Sequence, residues 1–235
     1  DILKRVEAGF GDWPAGGIPE PGPAPATPAP PDRRIAVVDR PDLVQAQILM
    51  GHEGISRTDP ERLAASLMNT VLGSGGFSSR LLNRVRAEEG LTYSVYSYFA
   101  MRRHPGPFAI STFTRVAEVR RVVDLLLSEL SRVRSDPPSE EEVAHAQSQR
   151  VGSFSLGLET SSAVTDSLVD LDVHGLPEDS LDTFRGRIRA LTAEDTARAA
   201  RDLVHPERAA ILVVGPAEAI LPQLEDLGAV EIKEP

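Results

Sequence analysis

Arg86 and Tyr93 stand seven residues apart on either side of Gly90, inside the stretch 72–95, which reads LGSGGFSSRLLNRVRAEEGLTYSV. A guanidinium and a phenol that converge on one point are donors suited to a peptide carbonyl oxygen. Peptide hydrolysis builds negative charge on that oxygen, and donors already aimed at it lower the barrier. The spacing predicts how the two would meet. A glycine-rich turn (Gly73, Ser74, Gly75, Gly76) opens a short helix with apolar positions Leu81, Leu82 and Val85; Gly90 ends it, and a strand begins at Tyr93. Ser78 or Ser79 is placed to cap that helix. The residues alone admit a second reading, in which Arg86 pairs with Glu89 and Tyr93 is strand packing.

Other chemistries lack the residues they need. The histidines are His52, His104, His145, His174 and His205, no two of them close in sequence, and neither H-E-x-x-H nor H-x-x-E-H occurs. His145 follows Glu140, Glu141 and Glu142 on what reads as a solvated helix face. No metal site and no cofactor are therefore expected in this chain. It has no cysteine, which removes disulfides, thiolate ligands and a cysteine nucleophile, and leaves bacterial cytoplasm and periplasm equally open. Ser78 and Ser79 do not form G-x-S-x-G. Gly73, Gly75 and Gly76 are followed by no Lys-Ser/Thr and complete no G-x-G-x-x-G, so nucleotide binding is not expected. What these glycines do offer is a backbone that another extended chain can approach closely.

The elements that must position the pair can be read along the chain. With 25 Lys and Arg against 35 Asp and Glu the net charge is −10, which argues against nucleic acid or an anionic membrane surface as partner, and no apolar run is long enough to span a bilayer. Residues 1–13 carry Leu3, Val6 and Phe10 at helical spacing and read as the tail of a preceding domain or helix, in a chain that begins within a longer protein. Residues 14–33 are nearly all Pro, Gly and Ala and are predicted to be a semi-rigid linker. Residues 34–235 form the domain. Strands are predicted at 34–39, 44–50, 93–101, 107–114 and 209–214. Helices are predicted at 60–72, 78–90, 115–134, from Ser139 with a break over 152–157, 159–173, 179–190, 192–204 and 217–227. Ser139 with Glu142 and Thr192 with Asp195 are the N-terminal signals of two of them. Hairpin-like strands and runs of helices indicate an α+β fold, a largely antiparallel sheet with helices on one face.

The segment 72–95 resembles the corresponding block of the pitrilysin/insulinase family of zinc peptidases, which includes the mitochondrial processing peptidase and many bacterial processing-type proteases. The likeness runs from Gln45-Ala46-Gln47-Ile48 through Gly73, Arg80-Leu81 and Gly90-Leu91-Thr92-Tyr93-Ser94 to residues 187–192 (RIRALT) and Val213-Val214-Gly215. Enzymes of this family are built from two similar α+β halves around a cavity. One half carries zinc on an H-x-x-E-H helix, and the other donates an Arg and a Tyr to the substrate. The resemblance implies that this chain is the non-zinc half, with Arg86 and Tyr93 as the catalytic pair. It also implies that Gly73, Ser74, Gly75 and Gly76 lie near the incoming peptide, and that zinc resides in a partner half fused upstream or held on a separate subunit. Such a chain is not expected to be active alone, and its exposed cavity face would favour a homodimer of the isolated fragment. Ser74 interrupts the family's glycine run, Ser180 stands where an aromatic is frequent, and Arg80 reads as structural. The alternative is a catalytically inert scaffold or assembly subunit of the same fold.

Overall fold

A computed structural model describes residues 1–14, 16–17 and 32–234; the linker predicted over 14–33 lies for the most part outside them. The segment predicted to be a helix tail is α1 (Ile2–Phe10), which buries no side chain; just beyond it Trp13 stacks on Phe10 at 5.5 Å. Among the described residues one sheet is formed by β1 (Arg34–Asp39), β2 (Gln45–Glu53), β3 (Val95–Phe99), β4 (Pro107–Arg115), β5 (Ala210–Gly215) and β6 (Val230–Lys233). Its order is β3-β4-β2-β5-β1-β6. The pairs β3/β4, β4/β2 and β2/β5 are antiparallel, whereas β1 runs parallel to both β5 and β6. The sheet is thus mixed. β1 and β2, which arrive in sequence like a hairpin, are not neighbours: β5 lies between them. Residues 40–44 can span two strand spacings, about 10 Å, so the short connection does not force pairing.

Period-two alternation makes one face of the sheet the core. Along β2, Ala46, Ile48 and Met50 are buried while Gln45, Gln47 and Leu49 face out. The inward side chains meet α2 (Arg62–Asn69), α3 (Arg80–Leu82), α4 (Val119–Ser135), α8 (Ala193–Leu203) and α9 (Ala217–Leu224). Val119, Val122, Val123, Leu126, Leu130 and Val133 of α4 are wholly buried, as their helical spacing predicts. Such side chains are each worth about 2 kcal/mol of burial. α2 is buried nearly all round, because α5 (Glu140–Leu156) and α7 (Ser180–Ala190) close over its far side through Leu67, Val71, Val143, Ala146 and Ile188. α6 (Ser161–His174) completes the helices. The break predicted over 152–157 instead spans 157–160, between α5 and α6. Gly152 stays helical, since one glycine costs a helix about 1 kcal/mol, too little to stop one so well started. β6 was not predicted: it is a short edge strand, mostly exposed, whose charged Glu231 and Lys233 mask its alternation.

One ion pair joins these layers. Arg80, 8% exposed, donates from Nε and Nη2 to the two oxygens of Glu142, each at 2.7 Å, and from Nη1 to Asp136 O at 2.7 Å. Glu142 also closes the Ser139 capping box, accepting from Ser139 N at 2.8 Å. Hydrogen bonding by Arg80 holds the Glu142 carboxyl at about 2, below its ordinary 4.5. A value depressed on folding adds stability that is complete above the unfolded value and is lost as pH falls through the folded one. Glu142→Gln is expected to cost about 2 kcal/mol at pH 7, a figure moderated by the partial exposure of Glu142. Urea denaturation of both proteins should show that difference shrinking as pH drops below 4.5 toward 2.

Candidate functional site

The glycine-rich segment is framed by two π-helical turns. α2 runs on into Thr70–Ser74, and α3 runs on into Asn83–Glu88, which carries Arg86. Such turns are uncommon and recur at functional sites, where they re-aim side chains. Gly73 and Gly75 are buried, while Ser74 and Gly76 are exposed. A side chain at Gly73 would run into Ser97 Oγ, with Leu81 Cδ1 and Ser97 N at 2.8 Å. Gly76 adopts φ +62° in open space. Of the four loop residues, two therefore serve close packing and two face solvent. Ser79 occupies the position before α3, but its hydroxyl donates back to Gly76 O at 2.7 Å rather than capping the helix.

Gly90, at φ +64°, ends the second π-helical turn as its position predicts, and Leu91 N donates to Val85 O at 3.0 Å. The chain then runs extended into β3, two residues later than predicted, with Tyr93 just ahead of the strand. Threonines of β4 clamp this approach from below. Thr114 Oγ1 donates to Leu91 O at 2.7 Å, and Thr112 Oγ1 lies 3.1 Å from Thr92 Oγ1 and 2.9 Å from Ser94 O. Leu91 and Thr92 are buried as a result, and Tyr93 stands out at 71% exposure.

These constraints bring Arg86 and Tyr93 together. The Arg86 guanidinium carbon lies 4.6 Å from the centroid of the Tyr93 ring and 4.9 Å from that of Phe77, so the cation is stacked by two aromatic rings. Glu89, its alternative partner, is taken instead by Arg84 at 3.6 Å and by Arg121. Among the described residues Arg86 has no carboxylate within ion-pair distance. Its N–H groups and the Tyr93 hydroxyl remain free to donate to one incoming acceptor, in a cation–π arrangement worth about 0.5–1 kcal/mol at an exposed site. Phe77, 76% exposed, was not singled out from the sequence. The available signal was a large aromatic in an otherwise small and polar loop.

The uncovered face of the sheet begins beside this rim. Tyr96 and Tyr98 of β3 stack at 6.0 Å on it, and Leu49 is exposed there too. A trough of about 860 Å³ crosses the face, lined by Leu49, Tyr98, Leu212, Arg34 and His205 among others; neither Arg86 nor Tyr93 lines it. The fold also joins two histidines distant in sequence. His52 Nε2 accepts from His205 N at 3.0 Å, which leaves the proton on Nδ1, facing Glu53 O at 2.7 Å. Burial pushes the His52 value down, favouring this neutral form. No third ligand joins them: among the described residues no group of three His, Asp or Glu side chains could hold a metal ion. Nor is any described helix long and apolar enough to cross a membrane.

With this geometry in view, the chain was compared with known proteins. The profile described as the peptidase M16 inactive domain matches residues 1–150. A Streptomyces coelicolor protein named as an uncharacterized zinc protease is 32% identical over 220 residues, covering 92% of this chain and 47% of that protein. The crystal structure of a peptidase M16 inactive domain from Pseudomonas fluorescens superposes with a TM-score of 0.73 at 29% identity, covering 83% of this chain and 47% of that one. A protease from Helicobacter pylori shares the fold, with a TM-score of 0.78 at 17% identity over 92% of this chain and 52% of that one. The chain spans about half the length of the relatives it matches.

The two exposed-loop and buried-loop glycines should respond differently to substitution. Gly73→Ala forces a methyl group into Ser97 and is expected to cost about 3 kcal/mol in chemical denaturation. Gly76→Ala, strained in φ but unhindered, should cost about 1 kcal/mol.

Proposed function

Because this chain belongs to the peptidase M16 inactive-domain family, we propose that it forms the substrate-gripping, non-zinc half of a processing-type zinc endopeptidase acting on peptides or unfolded segments. The reading takes residues 34–235 as the working unit, joined through the 14–33 linker to whatever precedes it. The observation that carries it is the Arg86 guanidinium held between Phe77 and Tyr93 without a carboxylate, at an exposed rim. Arg80, by contrast, is buried and fully engaged by Glu142.

In this reading a second half, fused or separate, bears zinc, which when bound supplies an activated water. Substrate lies extended, added to a sheet edge of that half. The residues of this chain bind and orient it. The Tyr93 hydroxyl and the Arg86 N–H groups donate to carbonyl oxygens flanking the scissile bond, where negative charge develops. Phe77 shields the guanidinium from water on one side and fixes its plane. Ser74 and Gly76 lie along the path of the peptide, while Gly73 and Gly75 hold the loop in shape. The apolar sheet face, with Leu49, Tyr96 and Tyr98, forms the cavity wall, and in the isolated chain it would favour self-association. An inert assembly subunit would share every one of these fold features; it is favoured only if the second half lacks H-x-x-E-H.

Kinetics on the full-length protein with its zinc-bearing half test the assignment. Tyr93→Phe is expected to lower kcat/KM about 100-fold with an unchanged melting temperature, because the side chain is exposed and the substitution keeps the ring on which Arg86 stacks. A loss below about threefold would remove Tyr93 from the oxyanion role, since one such donor is ordinarily worth far more.

A further inference from the structure

A cavity of about 690 Å³ lies between α2, α5, α6 and α7, and Arg57, Arg62 and Arg150 all line it. None of them belongs to the Arg86 site. Arg57 is committed: its Nε and Nη2 donate to Asp170 Oδ2 at 3.0 and 2.5 Å, and Asp170 is further engaged by His174 at 3.2 Å. Arg62 is only 9% exposed and has no carboxylate partner among the described residues. Arg150 Nε is sealed from solvent with no hydrogen-bond partner, its guanidinium carbon 5.9 Å from the Phe184 ring. Ser180 Oγ, in the first turn of α7, is likewise buried and unpartnered. Asp166, exposed on the cavity's margin, pairs with neither arginine. Burial, and then repulsion from Arg187 and Arg57, pushes the Arg62 value down; burial, and then Arg57, does the same to Arg150.

A chain with ten more acidic than basic residues has carboxylates to spare, yet among the described residues none lies within ion-pair distance of these two arginines, and Asp170, which acts on Arg62 from further off, is held by Arg57. Buried charges are ordinarily paired, and a guanidinium is shaped to receive two oxygens of a carboxylate or phosphate. We propose that this cavity is an oxyanion-binding site, in which Arg62, Arg150 and the Ser180 hydroxyl take the carboxylate or phosphate of a small organic ligand. Phe154, Leu181 and Phe184 supply an apolar wall for its body, and the volume suits a small molecule or a chain terminus. On the neighbouring strand Asn69 already engages Ser97, its Nδ2 donating to Ser97 O at 3.0 Å and its Oδ1 accepting from Ser97 Oγ at 2.5 Å, so that carbonyl is not open to the ligand.

The test is calorimetric titration and thermal melting of the full-length protein with three probes: inorganic phosphate, acetyl-Ala-Phe with a free carboxylate, and the same dipeptide as its amide. Phosphate or the free carboxylate should bind and raise the melting temperature, and the amide should do neither. Binding of phosphate alone identifies a free anion as the source, and binding of the dipeptide alone a chain terminus. Arg62→Met and Arg150→Met should each weaken binding about tenfold or more while raising the melting temperature of the ligand-free protein, the opposite of what loss of a structural contact would do. Ser180→Ala, which alters no charge, should fold normally and weaken binding about threefold to tenfold. The proposal is overturned if neither anion binds at about 10 mM, or if the variants bind as well as the natural protein.

Discussion

The position of the site depends on the bond between Arg80 and Glu142. Arg80 is the first residue of α3, immediately after the glycine-rich loop, and Arg86 lies six residues further on in the π-helical turn that continues the helix. A loop that includes a glycine at positive φ and a tight approach to Ser97 has little stiffness of its own. Its exit is fixed because Arg80 grips both oxygens of Glu142 and the carbonyl of Asp136, on the connection between α4 and α5. Glu142 in turn is fixed by the capping box that starts α5. The direction in which α3 leaves the loop, and so the place where Arg86 emerges, is set by a helix start more than fifty residues downstream.

The same division of labour continues at the second half of the pair. Gly90 turns the chain, the threonines of β4 hold Leu91, Thr92 and Ser94, and Tyr93 is left pointing outward, its ring against the Arg86 guanidinium. Two large aromatic side chains exposed beside one unpaired cation are costly unless something covers them. Other surface arginines divide between paired ones, such as Arg84 with Glu88 and Arg120 with Asp124, and exposed ones without an ion pair among the described residues, such as Arg102 and Arg187. What sets the Arg86 rim apart is the stacking of the cation between Phe77 and Tyr93.

Much of this was legible in the residues themselves. The spacing along α4, the boxes at Ser139 and Thr192, and Gly90 as a helix stop are local signals, and the structure keeps each of them. What escaped the sequence is what depends on distant partners. β5 inserts between β1 and β2 although 165 residues lie between Val44, the end of their connection, and Ala210, where it starts, and no pattern in residues 34–50 announces it. Phe77 gains meaning only when Arg86 is seen against its ring. His52 and His205 meet across two elements remote in sequence, and nothing in the sequence around Arg62 and Arg150 brings the two together. The π-helical turns have no compositional signature; the first lies where Gly73 fits tightly against Ser97 of β3.

The most direct measurement is a crystal structure of this chain together with the zinc-bearing half proposed for it, with an uncleavable peptide bound. In the proposed geometry the Tyr93 hydroxyl and an Arg86 N–H each lie about 2.7–3.1 Å from a peptide carbonyl oxygen beside the metal. A peptide bound at the metal while both side chains point elsewhere, or are held by other residues of the protein, would contradict it.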